Sequence, residues 1–300
     1  MQPKLENDQY DMNTLTKFEV IYKKIKHIFV ALFVIVASIS VIVLAASVLY
    51  FSHLTKDATH MSDKKLKAEL LDFPGSEALH NRNRDILTAF DQSDNTLIVG
   101  PKSVNNTVIK ALTSSEDSLY FKHNGILPKA LLRAVFQDVF NTQISSGGST
   151  ITQQLVKNQV LTNKKTYSRK ANELVLAMRT EKLFTKKEIL YIYLNIVPFG
   201  RDYNGANITG IASASFSLFG KSPNNLTVAE SAYIVGLLQS PYYYTPYNSD
   251  GSLKPQAQLS IGLNRQHYVL RRMLVEDKIT HKQFKTAEKE NIKANLRTNN

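Results

Sequence analysis

Residues 28–51 run for 24 positions without a Lys, Arg, Asp or Glu, and their polar members are Ser38, Ser40 and Ser47, with Tyr50 at the edge. That length suffices for a helix to cross a bilayer. The chain is therefore expected to carry one membrane anchor and to fold the remainder outside the hydrocarbon. A cleaved signal sequence is the alternative, with a site near Val43-Leu44-Ala45. The apolar run is too long for an ordinary signal core and the leader before it is long, so an uncleaved anchor is the expectation. Lys23, Lys24 and Lys26 directly before the span favour a cytoplasmic N-terminus. Lys56, Lys64, Lys65 and Lys67 follow it closely, so charge bias leaves the orientation nearly tied.

Residues 1–26 carry five lysines against four acids and 27–51 carry no formal charge, so nearly all of the net +12 falls beyond residue 51. Such a surface suits polyanions: nucleic acid, anionic lipid head groups or pyrophosphate. The absence of Cys excludes disulfides and thiolate metal sites. With 300 residues, one or two domains with an ample core are expected.

In order, residues 1–26 read as a disordered polar tail and 52–83 as a stalk. Two short runs, 86–90 and 96–99, flank Asp91-Gln92-Ser93-Asp94-Asn95 and predict a hairpin. From Val104 the pattern turns helical, with Val108, Ile109 and Leu112 forming a stripe before Glu116. Pro128 can open a helix whose apolar set is Leu131, Leu132, Val135, Phe136, Val139 and Phe140. That set is either core or a surface dipping into the bilayer. A helix is predicted over 167–183, and capping boxes at Thr185–Glu188 and Thr227–Glu230 open two more. Glycines at 200, 205 and 210 predict a loop, and Gly220 ends a helix that starts at Ile211. Residues 248–255 read as a polar linker, 263–275 as a helix, and Thr280 as the cap of a last, charge-rich one. The expected fold is mainly α, with a small β-hairpin in the stalk.

Three segments carry chemistry. Gly147-Gly148-Ser149-Thr150 leads into a helix with Ile151, Leu155 and Val156, whose start is expected to present unpaired N–H groups and the positive end of a dipole. Alone, that is an ordinary capped loop. Glu116-Asp117 sits at a helix end, followed by Tyr120, Phe121, His123 and Gly125. Arg169 and Glu173 lie one helical turn apart, which by itself is a surface ion pair worth a few tenths of a kcal/mol, about 0.3.

Together they resemble the peptidoglycan glycosyltransferase family, the lysozyme-like transglycosylase module of class A penicillin-binding proteins and of monofunctional transglycosylases. The motifs are Glu116-Asp117 with Tyr120, His123 and Gly125; Gly147 through Asn158; Arg169-Lys170 with Glu173; Lys186 with Ile189, Tyr193 and Asn195; and Gly210-Ile211 through Phe219-Gly220-Lys221. Similarity runs over residues 104–247, and the block 147–154 is its most specific part. Tyr120 stands where the family usually has Phe, and Leu218 where Tyr is common. The expected organisation is a cytoplasmic tail (1–26), a transmembrane helix (27–51), an extracellular stalk (52–103), the glycosyltransferase domain (104–247) and a helical connector (248–300).

The resemblance implies polymerisation of lipid II at the outer face of the bacterial cytoplasmic membrane, with the N-terminus inside. The growing undecaprenyl-pyrophosphate-linked chain is the donor. Its MurNAc C1 is attacked, with inversion, by the GlcNAc 4-hydroxyl of lipid II. By resemblance Glu116 is the general base, made more effective by burial. Lys157, Arg169 and Lys170, with N–H groups near Thr150, stabilise the leaving pyrophosphate. Ser149, Thr150, Gln154, Lys157, Asn158 and Arg169 bind substrate, and Asp117, Tyr120, Phe121 and His123 shape the site. Glu173, the second catalytic acid, either orients Lys and Arg groups, the favoured role, or holds a divalent cation (Mg2+ or Mn2+). No cofactor is required with certainty. Partners implied are lipid II, the glycan, the membrane, and transpeptidases or division and elongation proteins; nucleic acid is not among them. A lytic glycan hydrolase using Glu116 as acid is the alternative, and a non-catalytic scaffold a further one. Ser62 with Lys65 mimics a transpeptidase motif, but no Lys-Thr-Gly follows. Asn264-Arg265 with Val269, Leu270 and Met273 looks like the connector before a transpeptidase, so the chain is a monofunctional enzyme or the front of a larger one.

Overall fold

The computed structural model describes residues 5–74, 76, 85–128, 148–162 and 166–298. Two units are separated at residues 56 and 57. The first is one helix, α1 (Leu5–Leu54). The expectation of a disordered tail fails because no Gly or Pro interrupts residues 5–54, and helix formation, once nucleated in the apolar span, propagates outward. Residues 16–54 are long and apolar enough to cross a membrane.

The second unit begins with α2 (Lys56–His60) and α3 (Asp63–Leu70). Read from sequence as a stalk, this stretch contributes Ala58, Leu66 and Leu70, all fully buried, to the common core. The hairpin expected at 86–99 is absent. Asp85 instead caps a short helix, α4 (Ile86–Asp91), by accepting the Thr88 N–H. The Val99 N–H and C=O pair with the Asn195 side chain rather than with a neighbouring strand.

Next come α5 (Asn106–Glu116), α6 (Ile151–Gln159), α7 (Tyr167–Leu183) and α8 (Lys186–Ile196). The helix expected after Pro128, with its apolar set, lies outside the described residues. Thr150, Thr185 and Thr227 each form a complete capping box, which fixes where α6, α8 and the later helix α10 (Val228–Leu237) begin. The predicted loop at 200–210 is a two-stranded antiparallel sheet, β1 (Pro198–Arg201) and β2 (Asn207–Thr209). Its glycines supply the bulge and the turn rather than preventing pairing. Helix α9 (Ile211–Phe219) ends at Gly220 with φ +66°, as predicted.

Helix α10 (Val228–Leu237) is buried on every side, from Ala229 to Leu237, which marks a central core helix. It packs against α5, against α11 (Pro241–Tyr244) and against α12 (Gln256–Val275). Helix α12 starts at Gln256, earlier than predicted. Helices α13 (His281–Lys289) and α14 (Ile292–Asn295) finish the chain, and α13 opens at the expected Thr280 cap. Helix α6 packs against α7 and α8. The unit thus has one group built on α5, α10 and α12 and another on α6, α7 and α8, and the site lies where α5 and α12 meet α6.

Candidate active site

Helix α5 ends at Glu116, so its carboxylate is delivered at a helix terminus. The Glu116 side chain is 10% exposed and held from two directions. Gln154 Nε2 donates to one oxygen at 3.0 Å, and Arg265 of α12 approaches the other at 3.3 Å. Gln154 Oε1 in turn accepts the Tyr193 hydroxyl at 2.9 Å. Burial first, and Glu116 second, raise the Tyr193 pKa well above its ordinary value, so the phenol stays a donor. Arg265 lies over the Tyr268 ring at 4.3 Å. Glu116 is therefore largely enclosed, with a guanidinium and an amide against its two oxygens.

Glu173 is 1% exposed on α7. It accepts from Lys170 and, at 3.1 Å, from Gln153 Nε2, and Arg169 stands 3.9 Å away. Lys170 also donates to Ser149 Oγ at 3.0 Å. Cations and an amide donor fill the space around this carboxylate. Among the described residues no group of three acidic or imidazole side chains could hold a metal ion.

The start of α6 departs from expectation. Three N–H groups at its start already have partners within the protein. Thr150 N–H goes to Gln153 Oε1, Ile151 N–H to Asp117 Oδ2 at 3.1 Å, and Gln153 N–H to Thr150 Oγ1. The buried Asp117 carboxylate itself occupies the positive end of the dipole. It also receives His123 Nε2 at 2.8 Å, while His123 Nδ1 accepts the Gly125 N–H at 3.0 Å. Both ring nitrogens are thereby assigned, Nε2 as donor and Nδ1 as acceptor, in a neutral imidazole that acts as a brace. The brace closes when Thr150 Oγ1 donates to Gly125 O at 2.6 Å. Gly125 has φ +87°, and a Cβ there would sit 2.7 Å from Ala177 O, so only glycine fits.

Of the remaining predicted residues, Tyr120 is fully buried, donates to Lys186 O at 2.7 Å and faces the core. Phe121 is 60% exposed. Lys157 and Asn158 are exposed near the end of α6. Sequence reasoning placed Arg265 in a connector, named Tyr193 among the family motifs without a role, and passed over Gln153. The one available signal was an arginine at the edge of the buried stripe Leu259, Gly262, Gln266 and Val269 of α12. A carboxylate poised by donors at one helix end, with a second carboxylate gathering cations close by, can accept a proton from an alcohol and offset charge on a leaving anion.

The sequence profile described as Transglycosylase matches residues 83–274. Penicillin-binding protein 1A of Haemophilus influenzae is 40% identical over 188 residues, 62% of this chain and 20% of that protein. Penicillin-binding protein 1A of Escherichia coli is 38% identical over 63% of this chain and 20% of its own length. The Clostridium botulinum protein of the same name is 33% identical over 74% of this chain and 26% of its own length. The chain thus matches about a quarter or less of these relatives. A solved structure of the Haemophilus influenzae protein aligns at 34% identity and a TM-score of 0.31, over 38% of this chain and 15% of that one.

Proposed function

The chain belongs to the transglycosylase family, the glycosyltransferase module of class A penicillin-binding proteins, and from that premise we propose that it polymerises lipid II into glycan strands. The GlcNAc 4-hydroxyl of the acceptor attacks C1 of the donor MurNAc. The C1–O bond to the undecaprenyl pyrophosphate breaks, and the hydroxyl proton passes to Glu116. An alcohol gives up its proton late in such a reaction, within an oxocarbenium-like transition state, so a carboxylate serves as base if it is positioned. Gln154 and Arg265 provide that positioning. The pyrophosphate leaves towards Lys170 and Arg169, which Glu173 orients. Glu173 acts as an orienting group here, since the donors around it are cations and an amide. Lys157, on the exposed side of α6, supplies a further charge.

The observation that carries this reading is the pairing of both glutamates with consecutive residues of one helix, Gln153 and Gln154. Residues 27–51 serve as the membrane anchor, with the N-terminus inside and the domain on the outer face, where lipid-linked substrate is presented. Residues 104–247 are the catalytic domain and 248–300 a connector that returns Arg265 to the site. A gel assay of the purified chain with lipid II tests the proposal. Glycan ladders that disappear with moenomycin, an inhibitor of this family, support it. Release of fragments from preformed glycan without use of lipid II favours the lytic alternative.

A further inference from the structure

On α11, Tyr242 and Tyr243 are 49% and 57% exposed. Two cations bracket them. Arg201, at the end of β1, lies 5.2 Å from the Tyr242 ring centroid. Lys254 Nζ sits 3.2 Å from Tyr242 O and 3.0 Å from Tyr243 O. Among the described residues no carboxylate lies within ion-pair distance of either cation. Two cations on one ledge, with no acid paired to either, give a local positive field that suits an anion. Burial first, and the Arg201 charge second, lower the Lys254 pKa.

The ledge adjoins the candidate active site through the chain. A Cβ on Gly236 would touch Arg265 Cγ at 3.2 Å, so α10 abuts the arginine that holds Glu116. Tyr242 follows Gly236 by six positions, a stretch that an extended chain spans in at most about 22 Å.

We propose that Tyr242, Tyr243, Arg201 and Lys254 form an outlying subsite for the glycan strand, in which the tyrosine rings carry sugar faces and the two cations receive carboxylates of the attached peptides. This rests on the reading of the chain as a glycan polymerase. Tyrosine presents a rigid ring with a polar tip, well suited to pyranose faces and hydroxyls. A lipid surface is the poorer fit. The flanking residues Gln239, Ser240, Asn248, Ser249 and Ser252 are polar and offer little apolar area for insertion.

The test is binding of the full-length protein in detergent to uncrosslinked peptidoglycan strands, with and without their peptides. Tyr242→Ala combined with Tyr243→Ala is expected to weaken both by about tenfold. Arg201→Gln with Lys254→Gln is expected to weaken the peptide-bearing strands only. Unchanged strand binding in the tyrosine variant overturns the inference. So does loss in that variant of binding to phosphatidylglycerol vesicles with strand binding intact, which makes the ledge a membrane contact. Should the wild type fail to polymerise lipid II while strand binding depends on the tyrosines, the functional reading falls and the ledge stands.

Discussion

Gln153 and Gln154 are neighbours in the chain, yet their side chains donate to different carboxylates, Gln153 to Glu173 at 3.1 Å and Gln154 to Glu116 at 3.0 Å. Successive residues of a helix point about 100° apart, so one dipeptide at the start of α6 can serve acids arriving from α5 on one side and α7 on the other. The two halves of the proposed reaction, proton removal and leaving-group stabilisation, are thereby tied to one rigid element.

Replacing Gln154 by Leu removes a donor from Glu116 and leaves the fully buried Tyr193 hydroxyl without its acceptor. An unsatisfied buried polar group costs about 1–3 kcal/mol, which urea denaturation will register. Adding Tyr193→Phe should recover much of that stability but none of the lost polymerisation. Recovery of activity in the double variant would show that Gln154 matters only as a partner of Tyr193.

Arg265→Ala should leave a largely enclosed carboxylate without its counter-charge, costing about 3 kcal/mol. The turnover number should fall while KM for lipid II changes little, because Arg265 acts through Glu116. Arg265→Lys keeps charge but loses the stack on Tyr268, and should be intermediate. A rise in KM alone would instead place Arg265 among the substrate-binding groups.

Asp117→Asn keeps the size of the side chain but sets an amide against two donors, the Ile151 N–H and His123 Nε2. A stability loss of about 1–3 kcal/mol is expected, visible as a lower denaturation midpoint. His123→Ala should do likewise. Wild-type stability with abolished activity in either variant would argue for a direct chemical role.

Above pH 10 the chain should lose stability steeply. Burial is the leading cause that raises the pKa of Tyr120, Tyr193 and Tyr233; Glu181 and then Asp117 add at Tyr120, Glu116 at Tyr193, and Tyr247 at Tyr233. The folded state keeps phenolic protons that the unfolded chain releases near pH 10. Stability is therefore complete below that pH and declines as pH rises through it, by about 1.4 kcal/mol per pH unit for each such tyrosine. Tyr120→Phe should reduce the loss between pH 10 and 11 by about 1 kcal/mol, and an identical slope would contradict the assignment.

Local features of the fold were legible in the sequence and long-range ones were not. Thr185, Thr227 and Thr280 announce their helices through contacts three residues away, and Gly220 announces an end through its own backbone. The 86–99 stretch misled because short β-branched and apolar runs serve a strand or one turn of helix equally, and Asp85 decided the matter. At the site, the acids and cations were recognised by motif, but Arg265 meets Glu116 across 149 residues of chain. No local periodicity encodes such a pairing; only packing of α12 against α5 creates it. The filled N-terminus of α6 was missed for the same reason, since Asp117 belongs to a different element.

The most direct measurement of the central claim is lipid II polymerisation by Glu116→Gln beside the wild type, with folding of both checked by circular dichroism. The amide cannot take the proton, so the rate should fall by about 10²–10⁴-fold, while the variant folds at a stability cost of about 1–3 kcal/mol for setting an amide N–H against Gln154 or Arg265. A folded variant that builds glycan strands at the wild-type rate would contradict the account.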